Sequence, residues 1–159
     1  RYIAVTGVQT CALPILMAGG AGVEYYFGYE YPHDDLNAED WRSRDRVWDD
    51  VRHALTFFRT HLPFWTMTPN DALVSGTDAY AFADPGAVYA VYLPEGGPAQ
   101  LDLGTSSQAY TVRWYDPRNG GVLQTGSTER VRGPGMASLG RPPEAPDADW
   151  AVLVRPVAE

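Results

Sequence analysis

The chain has 159 residues and a formal net charge of -8, and all 12 of its basic residues are Arg. This acidic balance argues against partners that are held by Lys and Arg, so we expect neither nucleic acid nor a membrane surface as a partner. The length allows one ordinary domain, or a small domain together with part of another.

Residues 1–15 differ in composition from the rest of the chain. They hold its only Cys, Cys11, and its only two Ile, Ile3 and Ile15. A back-translation of residues 5–15, VTGVQTCALPI, resembles a common short-read sequencing adapter. We therefore interpret residues 1–15 as adapter-derived and exclude them from the fold, which makes residues 16–159 the C-terminal part of a longer protein. The alternative for residues 5–15 is a β-strand with a Gly turn.

Residues 16–65 contain one predicted strand and one predicted helix. The β-rich run at residues 23–27 lies between Gly22 and Gly28, which predicts a short strand followed by an aromatic loop. Asn37 is a candidate N-cap for the helix, which is either continuous or broken near Ser43, and Pro63 ends it. Its apolar residues recur at spacings of three and four, as on one helical face; they are Val47, Trp48, Val51, Ala54, Leu55, Phe57 and Phe58.

After a predicted linker at residues 66–70, residues 70–156 alternate short β-type runs with Gly- and Pro-rich turns, as β-sandwiches do. The run VYAVYL at residues 88–93 is nearly all apolar and predicts a central strand. Residues 111–115 alternate more, which predicts that one face of their strand meets solvent. The predicted strands are 80–83, 87–93, 99–103, 109–115, 122–124, 128–131, 136–139 and 150–154.

The order of these motifs resembles a known family. The chain carries GGAGVEYYFGY, EDWRSRDRVWDD and PFW, followed by VYLPEGG, VRWYDPRNGG and DWAVLVR. Together they resemble the C-terminal part of bacterial secreted proteins, in which a glycoside-hydrolase-like (β/α)8 barrel precedes a small β-sandwich named for collagen binding. The resemblance implies a mainly β fold: residues 16–65 would be the last strand and helix of the barrel, and residues 70–156 an immunoglobulin-like antiparallel β-sandwich. It also implies a secreted or periplasmic location.

The resemblance places the first candidate site at residues 19–27, the implied last barrel strand. Such barrels keep their active sites at the strand ends, and the catalytic carboxylate pair comes from earlier strands that this chain lacks. Glu24 would then contact substrate, and Tyr25, Tyr26 and Tyr29 would hydrogen-bond to sugar rings or stack on them. The alternative is that these aromatic residues pack between barrel and sandwich and that Glu24 pairs with an Arg.

The second candidate site is the segment EDWRSRDRVWDD, in which Arg and Asp interleave. Arg42 or Arg44 could bind a carboxylated sugar through a bidentate contact. The alternative is an ion-pair network on the helix, with pairs such as Asp49 and Arg52 that are each worth less than about 1 kcal/mol. The acidic residues at positions 34, 35 and 40 lack the spacing of a metal-binding loop.

The third candidate site is the motif WYDPRNGG at residues 114–121. Trp114, Tyr115 and Arg118 could form an exposed patch that grips a polymer. The alternative is a hairpin tip, because Asp-Pro and Asn-Gly supply turn geometry without any ligand, with Trp114 or Tyr115 in the core.

The sequence shows no metal-ligand spacing among its three His, no nucleophile elbow and no phosphate-binding Gly loop. We therefore predict no catalytic residue, metal or cofactor within this chain. Three functions stay open. In the first, the sandwich is an accessory or substrate-targeting module, whose partners are a polysaccharide and the rest of its own barrel. In the second, it binds collagen or a similar matrix polymer and has no enzymatic role. In the third, it is a structural brace, which predicts an apolar interface between helix and sandwich.

Overall fold

The structure is a computed structural model that describes residues 8–22, 45–76 and 78–157. Within these ranges two helices precede nine strands. Helix α1 spans Val8–Met17 and α2 spans Asp45–His61. The strands are β1 Thr68–Pro69, β2 Val74–Ser75, β3 Tyr80–Asp84, β4 Val88–Leu93, β5 Gln100–Asp102, β6 Ala109–Tyr115, β7 Arg130–Arg132, β8 Met136–Ser138 and β9 Trp150–Pro156. A 3-10 helix, Asp71–Leu73, joins β1 to β2.

The strands form two antiparallel sheets. The larger sheet has the order β1-β3-β4-β9-β6-β7, and the smaller has the order β2-β5-β8. Their inner faces share one apolar core, in which the rings of Trp114 on β6 and Trp150 on β9 meet edge to face at 6.1 Å. The prediction of a β-sandwich is therefore confirmed.

The centre of the larger sheet is the pair β4 and β9. Every residue of β4 is buried, because β3 and β9 flank it and both of its faces are covered. This confirms the predicted central strand at residues 88–93. In β6 the buried residues alternate with the half-buried Thr111 and Arg113, which confirms that one face of that strand is less covered.

The two helices cover the other face of the larger sheet, so that the fold has three layers. Ala12, Leu13 and Leu16 of α1 and Phe57 and Phe58 of α2 belong to one buried cluster with side chains of β3, β4, β6 and β9. The predicted helix is present, with Arg59 and His61 in its last turn. Its predicted start at Asn37 and the break near Ser43 lie outside the described residues.

Three details of the predicted strands are wrong. Residues 66–70 are not a plain linker, because Thr68–Pro69 pairs with β3, and Val74–Ser75 is a further strand. Residues 122–124 form no strand: only Gln124 pairs, through an isolated bridge to Trp114. The strand predicted at 128–131 lies at Arg130–Arg132, because its register with β6 starts at the pair Thr111–Arg130.

The start of the described chain is helical. Residues 8–15 belong to α1, so the alternative of a β-strand is wrong for them, and the adapter origin of residues 1–15 stays a prediction. After α1, residues 18 and 19 form a turn, in which Gly19 has a φ of 84°, and no strand is present at residues 19–22. The predicted barrel strand therefore does not begin at Gly19, and residues 23–27 lie outside the described residues.

Candidate functional site

Six of the predicted substrate-binding residues lie outside the described part of the chain, and their roles stay predictions; they are Glu24, Tyr25, Tyr26, Tyr29, Arg42 and Arg44. The other three are described. Trp114 and Tyr115 end β6, and Arg118 lies in the turn that follows.

Trp114 and Tyr115 do not form an exposed patch, so that expectation is wrong. Successive side chains of a strand point to opposite faces: Trp114 enters the core between the sheets, and Tyr115 faces the helical layer. Both are fully buried. The alternative, in which Trp114 or Tyr115 lies in the core, is confirmed for both residues. Tyr115 is buried because α2 covers the outer face of the sheet at this point.

Tyr115 links the sandwich directly to α2. Its hydroxyl donates a hydrogen bond of 2.9 Å to the backbone carbonyl oxygen of His53, and its ring lies 5.0 Å from that of Phe57. Burial raises the pKa of Tyr115, so the phenol stays a protonated donor at neutral pH. Nearby, Gly120 has a φ of 67°, and a Cβ atom there would lie 2.6 Å from Cδ2 of His53. The turn after β6 thus approaches the helix more closely than a larger residue would allow.

Arg118 is held by a cluster that we call the Arg118 cluster: Asp116, Arg118, Asn119, Asp149 and Trp150. Nε and Nη2 of Arg118 donate to the two carboxylate oxygens of Asp116 at 2.8 and 3.0 Å. Asn119 donates to the same carboxylate at 2.9 Å. The guanidinium also lies 3.6 Å from Asp149 and 5.2 Å from the centre of the Trp150 ring. The cluster therefore ties the turn after β6 to the start of β9.

The two carboxylates of this cluster have opposite pKa shifts. Burial would raise the pKa of Asp116, but the hydrogen bonds from Arg118 and Asn119 outweigh it and hold the pKa below its ordinary value. Burial dominates at Asp149 and raises its pKa, although Arg118 acts in the other direction. Two carboxyl groups whose pKa values are shifted apart in this way can act as an acid–base pair. Here, however, the oxygens of Asp116 are occupied by Arg118 and Asn119, so the arrangement is that of a structural joint.

An apolar interface joins α2 to the larger sheet. Ala54, Phe57 and Phe58 on the helix are buried in one cluster with sheet residues such as Phe82 and Tyr115. The rings of Phe58 and Phe82 lie 5.8 Å apart. Each fully buried Phe contributes about 2–3 kcal/mol relative to an exposed one. This is the interface that the structural brace predicts.

A polar cleft of about 530 Å³ lies beside this interface, between α2 and the turn after β6. Arg46, Arg52 and His53 line its helix side, and Arg118 and Asn119 line the other side. Within it, Nη2 of Arg52 lies 2.6 Å from Asp49, so the alternative of an ion pair is confirmed for that pair. The cleft is lined by charged and polar groups, and the geometry of Arg118 within it is fixed by its cluster.

One exposed aromatic pair was missed by the sequence analysis as a site. Trp65 is 75% exposed and Phe64 44% exposed, and their rings meet edge to face at 5.3 Å. The signal was present in the motif PFW, where two aromatic residues directly follow the Pro that ends α2. An exposed Trp of this kind can stack on a sugar ring or on a partner surface.

Within residues 8–22, 45–76 and 78–157, no group of three or more His, Cys, Asp and Glu side chains is arranged to hold a metal ion. In the same ranges, none of the helices has the length and apolar character needed to cross a membrane.

The fold is similar to part of two solved structures that are named as glycoside hydrolases. One solved structure, named "Glycoside hydrolase", superposes with a TM-score of 0.70 at 18% identity and covers 93% of this chain and 36% of its own. A glycoside hydrolase family 5 protein from Bacteroides vulgatus gives a TM-score of 0.70 at 20% identity, covering 93% of this chain and 35% of its own. The chain thus spans about a third of the length of these structures.

The remaining comparisons concern sequence. No curated protein matches the chain significantly. Residues 69–155 match the family model described as "Putative collagen-binding domain of a collagenase". This match runs from the last residue of β1 to the next-to-last residue of β9, which is nearly the whole sandwich and more than half of the chain. The chain therefore belongs to this collagen-binding domain family.

Proposed function

We propose that this chain is a non-catalytic C-terminal region of a secreted, carbohydrate-active protein of the glycoside hydrolase type. In this proposal the sandwich is an accessory domain fixed to the last helix of the barrel. The observation that carries the proposal is the buried face of α2, with Phe57 and Phe58 packed against the larger sheet. The family of the sandwich and the fold shared with glycoside hydrolases support it, and both are compatible with an extracellular location.

The other side of α2 supports its assignment to a barrel. Val47 and Val51 lie four residues apart and are half-buried, and Trp48 beside them is 40% exposed, so the helix also carries apolar side chains outside the cluster that packs on the sheet. A helix that lies between a barrel and a sandwich needs apolar side chains on both sides. The predicted apolar face of this helix is thus divided between two surfaces.

The contacts favour a fixed brace over a loosely tethered module. Only residues 62–67 connect α2 to β1, and Leu62 and Met67 among them are buried. The hydrogen bond from Tyr115 to His53 and the contact at Gly120 add a second attachment at the far side of the interface. Domains that move independently are joined by exposed linkers with few contacts. Phe64 and Trp65 are exposed here, but the buried Leu62 and Met67 anchor the two ends of the connection.

Sequencing of the source DNA tests the first part of the proposal. A single long read upstream of the Leu16 codon should show an open reading frame that encodes a signal peptide and a barrel with two carboxylates at its strand ends. The full-length product should then hydrolyse a polysaccharide, whereas this chain alone should not. A genome that encodes VTGVQTCALPI without an upstream barrel would contradict the proposal.

Hydrogen exchange tests the brace. Amides of α2 should exchange as slowly as those of β4 and β9, because one global unfolding event exposes them all. Fast exchange throughout α2, with β4 and β9 still protected, would show that the helix is only tethered.

A second candidate function is binding to collagen, and the observation that favours it is the description of the matching family. The chain would be passed over immobilised fibrillar collagen, with Trp65→Ala as a surface variant. Saturable binding that this variant weakens would support the candidate. An absence of binding at micromolar protein would remove it without affecting the brace.

A further inference from the structure

One face of the larger sheet carries four Arg side chains beyond the end of α2. Tyr110, Val112 and Trp114 of β6 point into the core between the sheets, so Arg113 points to the opposite face. The same alternation places Arg155 of β9, and Arg130 and Arg132 of β7, on that face. We call Arg113, Arg130, Arg132 and Arg155 the arginine face.

The strand register sets the spacing of these cations. Thr111 lies opposite Arg130 on one side and opposite Arg155 on the other. Neighbouring strands are about 4.8 Å apart, so these two Arg backbones lie roughly 10 Å from each other, and Arg132 lies about 7 Å further along the edge strand. Cations spread over such a distance fit an extended, repeating anion better than a single small one.

The charges of this face are only partly neutralised. Glu129 accepts a bond of 2.9 Å from Arg113, and Arg132 donates to the backbone oxygen of Ser107. Among the described residues, no carboxylate forms an ion pair with Arg130, Arg132 or Arg155. Glu129, whose pKa the hydrogen bond from Arg113 lowers, also interacts with the charge of Arg130. His61 at the end of α2 faces Arg155, where burial and the Arg155 charge lower the pKa of His61. The face therefore carries positive charge on a chain whose net charge is -8.

We propose that the arginine face binds an anionic glycan chain, through the carboxylate or sulfate groups of its sugars. Guanidinium groups bind such anions with paired hydrogen bonds. β7 is an edge strand, so Arg130 and Arg132 are exposed and can be reached by a polymer. The net negative charge of the chain opposes every long polyanion, nucleic acid and glycan alike, so binding depends on the local positive charge of this face. The choice of a glycan among anionic polymers rests on the proposed function.

Binding is tested on the full chain by biolayer interferometry at low salt. The immobilised probes are polygalacturonate, which is carboxylated, heparin, which is sulfated, and neutral dextran. We expect saturable binding to at least one anionic glycan and none to dextran. Affinity should fall roughly tenfold or more between about 50 and about 200 mM salt, because charged contacts release counterions. The paired probes distinguish carboxylate from sulfate as the recognised group.

Charge reversal locates the site. Arg130→Glu with Arg132→Glu should weaken binding at least tenfold, whereas Arg46→Glu should change it less than twofold. Arg46 is also exposed but lies at the start of α2, about 22 Å along the helix from His61. Because the double reversal alters an edge strand, the variant Arg130→Gln with Arg132→Gln is measured too, and the melting temperatures of all variants are compared.

The results separate this proposal from its competitors. Equal losses in Arg46→Glu and the double variants, or no binding to either anionic glycan at low salt, would overturn it. Tighter binding to a DNA duplex than to both glycans would also overturn it. None of these outcomes depends on whether a barrel is encoded upstream, so the proposed function and the arginine face can fail independently.

Discussion

Phe57 lies at the centre of the interface between α2 and the sandwich, and its substitution tests the brace directly. Its side chain is fully buried, with ring centres 5.0 Å from Tyr115, 5.8 Å from His61 and 6.2 Å from Phe58. Phe57→Ala removes these contacts and leaves a cavity, which costs about 3–5 kcal/mol in a packed core. This is a large fraction of the roughly 5–15 kcal/mol that stabilises a typical domain.

The assay is urea unfolding followed by two spectroscopic signals. Far-UV circular dichroism follows the helix, and near-UV circular dichroism reports the buried pair Trp114 and Trp150 on the opposite face of the sheet. If helix and sandwich form one cooperative unit, both transitions of Phe57→Ala should move together to lower urea. With a slope of about 2 kcal/mol per M urea, the midpoint should fall by roughly 2 M.

The matched control is Phe64→Ala, since Phe64 is 44% exposed and lies just beyond α2. Its unfolding free energy should stay within about 0.5 kcal/mol of the unsubstituted chain. A Phe57→Ala chain whose helical signal is lost early, while the Trp signal keeps its midpoint, would refute the reasoning. The sandwich would then be stable without the helix, and the interface would not brace it.

Two further predictions concern the turn after β6, one at the Arg118 cluster and one at Gly120. Because the pKa of Asp149 is raised, ionisation of this carboxyl group lowers the stability of the protein as the pH rises through the pKa of the folded state. The unfolding free energy of Asp149→Asn, relative to that of the unsubstituted chain, should therefore increase from about pH 4 to about pH 7. Because the pKa of Asp116 is lowered, its carboxylate contributes stability that is lost as the pH falls through the folded value, so the relative unfolding free energy of Asp116→Asn should decrease as the pH rises from about 2 to about 5. Urea midpoints at the two ends of each pH range check this, and changes of the same sign would contradict it. Gly120→Ala and Gly86→Ala both place an Ala at positive φ, which costs about 1–2 kcal/mol each. Only the Ala at position 120 would also contact His53, so the melting temperature of Gly120→Ala should be the lower of the two. Equal melting temperatures would be inconsistent with the close contact.

The sequence predicted those elements whose environment is encoded locally. The run at residues 88–93 is apolar at every position because both of its faces are covered, and that pattern shows in the sequence. β1 could not be found in this way: it has two residues, one of them Pro69, which an edge strand tolerates because one side of it makes no ladder hydrogen bonds. The pairing with Phe82 that defines it is a tertiary contact.

The candidate sites depended on contacts between distant parts of the chain. Whether Tyr115 faces solvent or core is decided by α2, which contacts it from 62 positions earlier. For the same reason the exposed patch predicted around Trp114 was wrong. The arginine face is visible only once the register of β6 with β9 brings Arg113 and Arg155 onto adjacent strands. A periodic pattern within one segment contains no information of this kind.

The position of β9 has a consequence for synthesis on the ribosome. This strand lies between β4 and β6, yet it is translated after every other strand of the larger sheet. Until Trp150 and the residues after it are made, β3–β4 and β6–β7 are separate hairpins with open edges, and loop closure over such distances is slow. A nascent chain that stalls before Trp150 would expose the unpaired edges of β4 and β6 and the ring of Trp114 that Trp150 contacts, a state that chaperones bind and proteases degrade.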